Sequence, residues 1–453
     1  MQKNSYTRLL ISTFITGLAF SNVVQAAPYE LIDLGTLEGI NTYSFAINNL
    51  NEVTGTADGK IIPAEDADPD NVCSDGSFRT FCTHAFLYDA AGMNDLGALG
   101  DSRSYGFGIN DTSTVVGYGI ESVLDVDGVL LTKREVAVIS FNGGQVESIP
   151  YPADLNLPDT LQPQQRALDI SNDRKIVGFT LVRTFDETEA SFTQITPYLY
   201  DYDTDTLSLL PLFSTTFGRS GSARAINNLG VVVGWGLSED EFNPAHALLW
   251  DPASPELSID LGTLGGFTSE AYSINDNGIV VGLSETTKDF PTNQKLGFIY
   301  DPSQEIPMMQ IPEFSDQDEF KVSIANDINN NNQVVGTAQF TTATLNANTA
   351  FMYDYNDGSL INLNDMVDCS LNWELYNATS INDNGVITGT GVFEGAARSF
   401  MLVPTMDTVP TNCTALRKSV RDDATKVINE GAGSLGFLSL LMGSLLLWRR
   451  KYI

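Results

Sequence analysis

Apolar runs in this chain are short, and Asn, Asp or Gly close each of them. The sharpest pattern begins with isoleucine, continues with Asn-Asn, Asn-Asp or Ser-Asn, and ends on glycine eight positions later. It occurs seven times: INNLNEVTG (47–55), INDTSTVVG (109–117), ISNDRKIVG (170–178), INNLGVVVG (226–234), INDNGIVVG (274–282), INNNNQVVG (328–336) and INDNGVITG (381–389). Asn, Asp and Gly tolerate positive φ, and Asn or Asp bonds its own backbone, so the middle of each phrase is a turn. Small residues precede it and β-branched pairs such as Val232-Val233 follow, which predicts a strand on either side.

A second phrase follows each turn: HAFLYD (84–89), VAVISF (136–141), PYLYD (197–201), HALLWD (246–251), GFIYD (297–301), AFMYD (350–354) and RSFML (398–402). Runs this short and apolar predict buried strands. Six are followed by a further apolar stretch, clearest as DLGAL (95–99) and DLGTL (260–264) and weaker around 207–212, 307–311 and 360–363. The seventh lacks one, and YELIDLGTL (29–37) stands at the other end of the chain instead. Repeats 50 to 60 residues apart bury their apolar faces only against one another. The pattern therefore predicts an all-β fold, a β-propeller of seven four-stranded blades closed by the N-terminal strand. An open β-solenoid would need polar capping repeats at both ends, and the permuted strand count argues against it.

DLGTLGG (260–266), INDNGIVVG (274–282) and HAFLYD (84–89) together resemble the HAF-repeat family of extracellular bacterial proteins. The resemblance covers residues 29–403 and implies a repeat architecture and an exported location, with no established activity.

The ends divide the chain further. Residues 1–26 carry Lys3 and Arg8, an apolar run from Leu9, and Val24-Gln25-Ala26, the pattern of a secretory signal peptide. The propeller is expected over 27–404 and a polar linker or stalk over 405–430. Residues 431–453 hold Gly431, Gly433 and Ser434, an apolar run over 435–448, and Arg449, Arg450 and Lys451. This tail resembles the GlyGly-CTERM sorting signal, which implies a rhomboid-type protease as partner and display on the surface of a Gram-negative cell. The glycines here are not adjacent, and a membrane anchor facing the periplasm is the alternative.

Without its two ends the body keeps 19 basic against 57 acidic residues, a net charge of −38. Nucleic acid is excluded as a partner, because no basic stripe exists to neutralise phosphates. Acidity suits solubility outside the cell, and calcium is the one cofactor it suggests. The candidate ligands are Asp201, Asp203 and Asp205, then Asp354, Asn356 and Asp357, and the acidic stretch 65–71. Four cysteines in an exported chain read as disulfides, Cys73 with Cys82 and Cys369 with Cys413 among three possible pairings. His84 and His246 share a position in the second phrase that Pro197 or Arg398 fills elsewhere, which assigns them to structure.

No nucleophile elbow, HExxH, P-loop or dinucleotide fingerprint is present, so no catalytic residue is assigned. The reading is a non-catalytic secreted or surface-held binding scaffold for a glycan or protein ligand. Its expected binding loops are 58–83, 119–135 and 179–196, with Phe78, Phe81, Tyr118, Phe179, Phe192 and Trp235 as stacking candidates. A structural component of the surface layer and a carbohydrate-active enzyme are the alternatives.

Overall fold

The computed structural model describes residues 28–59, 83–99, 103–124, 130–150, 164–185, 191–212, 220–238, 244–288, 294–314, 321–341, 346–406 and 413. Its strands form seven four-stranded antiparallel sheets arranged as a seven-bladed propeller. Each blade is a meander running outward from the axis. Blade 5, for example, comprises Ser269–Ile274, Val280–Glu285, Lys295–Tyr300 and Met308–Gln310. Blade 7 alone is composite. Its outermost strand is Tyr29–Asp33, which pairs with Ala396–Pro404 and closes the ring without an exposed edge between first and last blades.

Packing between blades follows from the second phrase. Its third residue in register, Phe86, Val138, Tyr198, Leu248, Phe298, Phe351 or Phe400, is at most 2% exposed in every blade. The register also aligns Thr196, not Pro197, with His84 and His246. The DLG segments correct the expectation more substantially. The outer strands stop at Asp95 and Asp260, and Leu-Gly begins the crossover to the next blade. Leu34, Leu96 and Leu261 still bury themselves there, while Gly35, Gly97 and Gly262 take positive φ and donate to the preceding aspartate.

Those aspartates explain the histidines. His84 Nδ1 meets Asp95 Oδ1 at 2.9 Å, His246 Nδ1 meets Asp260 Oδ2 at 2.8 Å, and Arg398 donates to both oxygens of Asp33. The basic group of the third strand thus anchors the crossover turn. Burial would raise the Asp95 carboxyl, but the His84 imidazole and the Gly97 N–H hold it below its ordinary value.

Every inner strand carries a β-bulge just before its isoleucine, as between Ser44 and Ala46 or Ala271 and Ser273. The bulge presses the inner strand against the phrase-ending glycine of the second strand. A Cβ on any of the seven glycines would fall 1.7–2.2 Å from an inner-strand carbonyl oxygen. No side chain fits there.

Segments 119–135 and 179–196, expected as loops, are largely strand. They extend the hairpins Thr114–Leu124 with Leu130–Phe141 and Lys175–Phe185 with Ser191–Asp201 beyond the blade body. β-Branched and aromatic residues there continue the pairing. Cys369 and Cys413 are joined by a disulfide, with Cα atoms 5.3 Å apart, tying the segment after blade 7 back to the connection between blades 6 and 7. Cys73 and Cys82 lie outside the described residues. No helix among the described residues is long and apolar enough to cross a membrane, and 431–453 lies outside them.

Two glycine substitutions in blade 5 separate steric from conformational cost. Gly282→Ala places Cβ 2.0 Å from the Glu270 oxygen and should lose about 3 kcal/mol. Gly278→Ala meets only the φ of 77° and should lose about 1 kcal/mol. Denaturant melts of the two variants measure both, and equal losses would contradict the packing argument.

Candidate functional site

The axial channel has two mouths with different chemistry. At the first, the seven isoleucine-initiated turns converge around a polar pocket of about 150 Å³. The first Asn of each phrase works twice. In six blades its Oδ1 accepts two N–H groups of its own turn, as Asn275 does from Asn277 and Ile279. Its Nδ2 then donates to the backbone carbonyl of the next blade's turn at 2.9–3.1 Å. Ser171 replaces this asparagine in blade 3 and closes its turn through Oγ, 3.1 Å from Lys175 N. A hydroxyl is too short to span to blade 4.

The following residue completes a second ring. Asn49, Asp111, Asn172, Asn228, Asp276, Asn330 and Asp383 each donate a backbone N–H to Oδ1 of the next member, at 2.8–3.1 Å, and the seventh returns to the first. Carboxylates and amides alternate as far as an odd number allows. Each of the three aspartates accepts Nδ2 of both flanking asparagines at Oδ2. This spacing separates like charges and gives each carboxylate charge-assisted bonds. The arrangement is a clasp, and it uses the hydrogen-bonding groups that a ligand would need.

One layer inward, the bulges turn isoleucine N–H groups toward the axis, where two carboxylates receive them. Asp169 accepts Ile170 N at 2.8 Å and Ile226 N of blade 4 at 2.9 Å. Asp327 accepts Ile328 N and Ile381 N at 2.9 Å, and the hydroxyls of Ser273 and Ser380 at 2.6 Å. Asp169 therefore bridges the blade 3–4 junction that Ser171 leaves open. Both side chains are half-buried and densely surrounded by protein. Burial drives the Asp169 carboxyl up to about 7 despite its two N–H bonds, with the charge of Asp327 adding to the rise. Burial also raises Asp327 against four hydrogen bonds. Their partners are backbone and serine groups, which makes them structural acceptors.

The opposite mouth carries the connections between second and third strands. Aromatic and cationic side chains gather there on blades 1 to 5. Phe45 lies 5.0 Å from Phe107, Phe107 stacks on Tyr118 at 5.7 Å, and Tyr118 stacks on Tyr105 at 4.5 Å. The Arg166 guanidinium covers the Tyr118 ring at 4.3 Å and the Phe179 ring at 5.6 Å. Two bonds of 2.6 and 2.7 Å hold it to Glu135. Arg224 repeats the motif, bonded to Glu270 at 2.9 Å and 4.7 Å above the Tyr272 ring. Burial pushes the Tyr272 hydroxyl up to about 12 and raises the Tyr118 hydroxyl as well. These tyrosines stay neutral, presenting ring faces and O–H donors, at any physiological pH.

Comparison with known proteins adds the family context. Residues 263–401, less than a third of the chain, match a family described as protein of unknown function (DUF3466). No curated protein matches the chain in sequence. Among solved structures it is similar to an oligogalacturonate lyase in complex with manganese, with 12% identity, 84% of this chain and 99% of that chain covered, and a TM-score of 0.40. A Trypanosoma rangeli sialidase gives 10% identity, 90% and 64% coverage, and a TM-score of 0.33. The acylaminoacyl peptidase of Pyrococcus horikoshii gives 12%, 68% and 46%, with a TM-score of 0.38, so the chain matches under half of that enzyme's length. Likeness at this level carries no argument about activity.

The expected calcium ligands lie in turns between third and fourth strands. Asp201 accepts its own turn's N–H groups, Asp203 pairs with Arg174, and Asp205 accepts the Tyr200 hydroxyl at 2.9 Å. Asp354 and Asp357 close their turn onto Asn356 N and Ser359 N, and Asn356 accepts Asn332 Nδ2 at 3.0 Å. Among the described residues no three His, Cys, Asp or Glu side chains gather as a metal site requires; 65–71 lies outside them. Of the stacking candidates, Tyr118 and Phe179 join the cluster at the loop-side mouth, and Trp235 stands in the second strand of blade 4. Phe78, Phe81 and the side chain of Phe192 lie outside the described residues. Sequence reasoning missed Tyr105, Arg166 and Arg224, although each sits four or two residues before a phrase isoleucine, a readable offset.

Asp169 generates a pH prediction. Its native carboxyl near 7 against about 4 unfolded means that the folded state binds the proton more tightly. Stability from this group is full below about pH 4 and lost as pH rises to about 7, at about 1.4 kcal/mol per unit, about 4 kcal/mol in all. Asp169→Asn should flatten the fall of Tm between pH 5 and 7.5. Parallel pH profiles for the two proteins would overturn the assignment.

Proposed function

We propose that the chain is a non-catalytic binding scaffold, exported and displayed at the cell surface, that holds a neutral glycan at the loop-side mouth of its channel. The observation that carries this reading is the Phe45–Phe107–Tyr118–Tyr105 aromatic chain continued by Arg166, half-buried toward that mouth. Sugar rings present flat C–H faces and many hydroxyls, and aromatic faces beside fixed polar groups match both. The carboxylates at this mouth favour binding over hydrolysis. Glu135 and Glu270 are each committed to an arginine, which leaves neither as a general acid. Their pairing also cancels the local charge, so the ligand is neutral even though the chain carries −33 overall.

Display accords with the acidic body and with the tail over 431–453, whose expected partner is a rhomboid-type protease.

Affinity electrophoresis through gels containing laminarin, dextran or alginate tests the reading. A neutral polymer should retard the protein, and Tyr105→Ala should weaken retardation about tenfold with Tm unchanged. Free migration in both neutral polymers, or retention by alginate alone, would contradict it.

A further inference from the structure

Beside the loop-side mouth, a cavity of about 210 Å³ opens between blades 2 and 3. Glu121, Arg134, Glu135 and Gln165 form its polar wall, and Val136 and Ile149 its apolar one. The charges are matched within the wall. Arg134 Nε donates to Glu121 Oε2 at 2.6 Å, and Arg166 holds both oxygens of Glu135. An anion entering here meets two carboxylates, and a cation meets the Arg134 guanidinium and carboxylates already bonded to arginine. Neither gains a net attraction.

One donor has no acceptor. Gln165 is 2% exposed, and its Nε2 makes no hydrogen bond. The Tyr198 hydroxyl stands beside the amide and donates to the Arg166 carbonyl at 3.1 Å, but Gln165 Nε2 does not reach it in hydrogen-bond geometry. A buried amide left in this state is destabilising, and an acceptor entering the cavity removes the penalty.

We infer that this cavity is a subsite for one neutral sugar ring. A hydroxyl both donates and accepts, so a polyol satisfies an amide N–H and carboxylate lone pairs in one enclosed space while its C–H face covers the apolar wall. The ring's C–H face lies on Val136 and Ile149, and the volume admits a single ring, not a chain. The inference rests on the glycan reading of the loop-side mouth and specifies it. Glu135 belongs to both places, lining the cavity and holding the Arg166 that covers Tyr118.

Saturation-transfer NMR on the full chain with methyl β-glucopyranoside and methyl β-galactopyranoside tests the subsite, with galacturonate and glucosamine as charged comparators. A neutral glycoside should show transfer at least tenfold stronger than either charged sugar. Gln165→Leu and Gln165→Met, which keep bulk and remove the donor, should each abolish it without lowering the melt. Absence of transfer from both glycosides, meaning that the cavity holds water alone, would overturn the inference, as would undiminished transfer in both variants. Should polymer retardation persist through Tyr105 while the glycosides fail, the subsite falls and the mouth reading stands. The converse result would remove the mouth and keep the cavity.

Discussion

The structure depends on one recurring bond, from a turn's backbone N–H to the Asn or Asp side chain of the neighbouring blade. A propeller blade buries its faces against its neighbours, but apolar contact sets no angle and does not count blades. The ring from Asn49 through Asp383 supplies that geometry, because each member both donates and accepts and the last must meet the first. Two further features serve this ring. The bulge before each isoleucine aims the turn at the axis, and the glycine behind it provides the room. The strand pairing of Tyr29–Asp33 with Ala396–Pro404 closes the rim of the same circle.

The clasp also gives the two mouths different chemistry. Its amides and carboxylates are consumed in holding blades together, so the turn-side mouth has little left to offer a ligand. The other mouth is free of that duty. There the inner-strand position that blades 6 and 7 fill with Asn326 and Thr379 carries Phe45, Phe107, Arg224 and Tyr272 in blades 1, 2, 4 and 5. Asn326 bonds Asn377 Oδ1 and the Ala378 carbonyl at 2.7 Å, sealing that sector with blade-to-blade contacts. Aromatic rings and arginines are thereby concentrated on one side of the channel, as a site requires.

Much of this was legible in the sequence, and what was missed has physical reasons. Turn residues and a phrase of fixed length encode a hairpin locally, so the blades and their number could be read from residues 47–55 and their six relatives. The closing strand was legible because one phrase was missing at one end and present at the other. The ring was not, since its bonds join residues 48 to 62 positions apart, and 334 for the last. The bulge was equally hidden, being a register shift that no single residue type marks. Loops 119–135 and 179–196 misled because hairpins extended past the blade body have no core to impose alternation. His84 and His246 were read as repeat positions, but their contacts to Asp95 and Asp260, 11 and 14 residues on, were not legible from the phrase alone.

Hydrogen exchange at the seven ring amides tests the central claim most directly. Asn49, Asn172, Asn228 and Asn330 are exposed turn residues, and without the clasp their amides would exchange at the rates of open loops. The account predicts strong protection at all seven, lost together when Asp383→Ala removes one link. Fast exchange at these amides in the intact protein, or loss of protection confined to the blades adjoining residue 383, would contradict it.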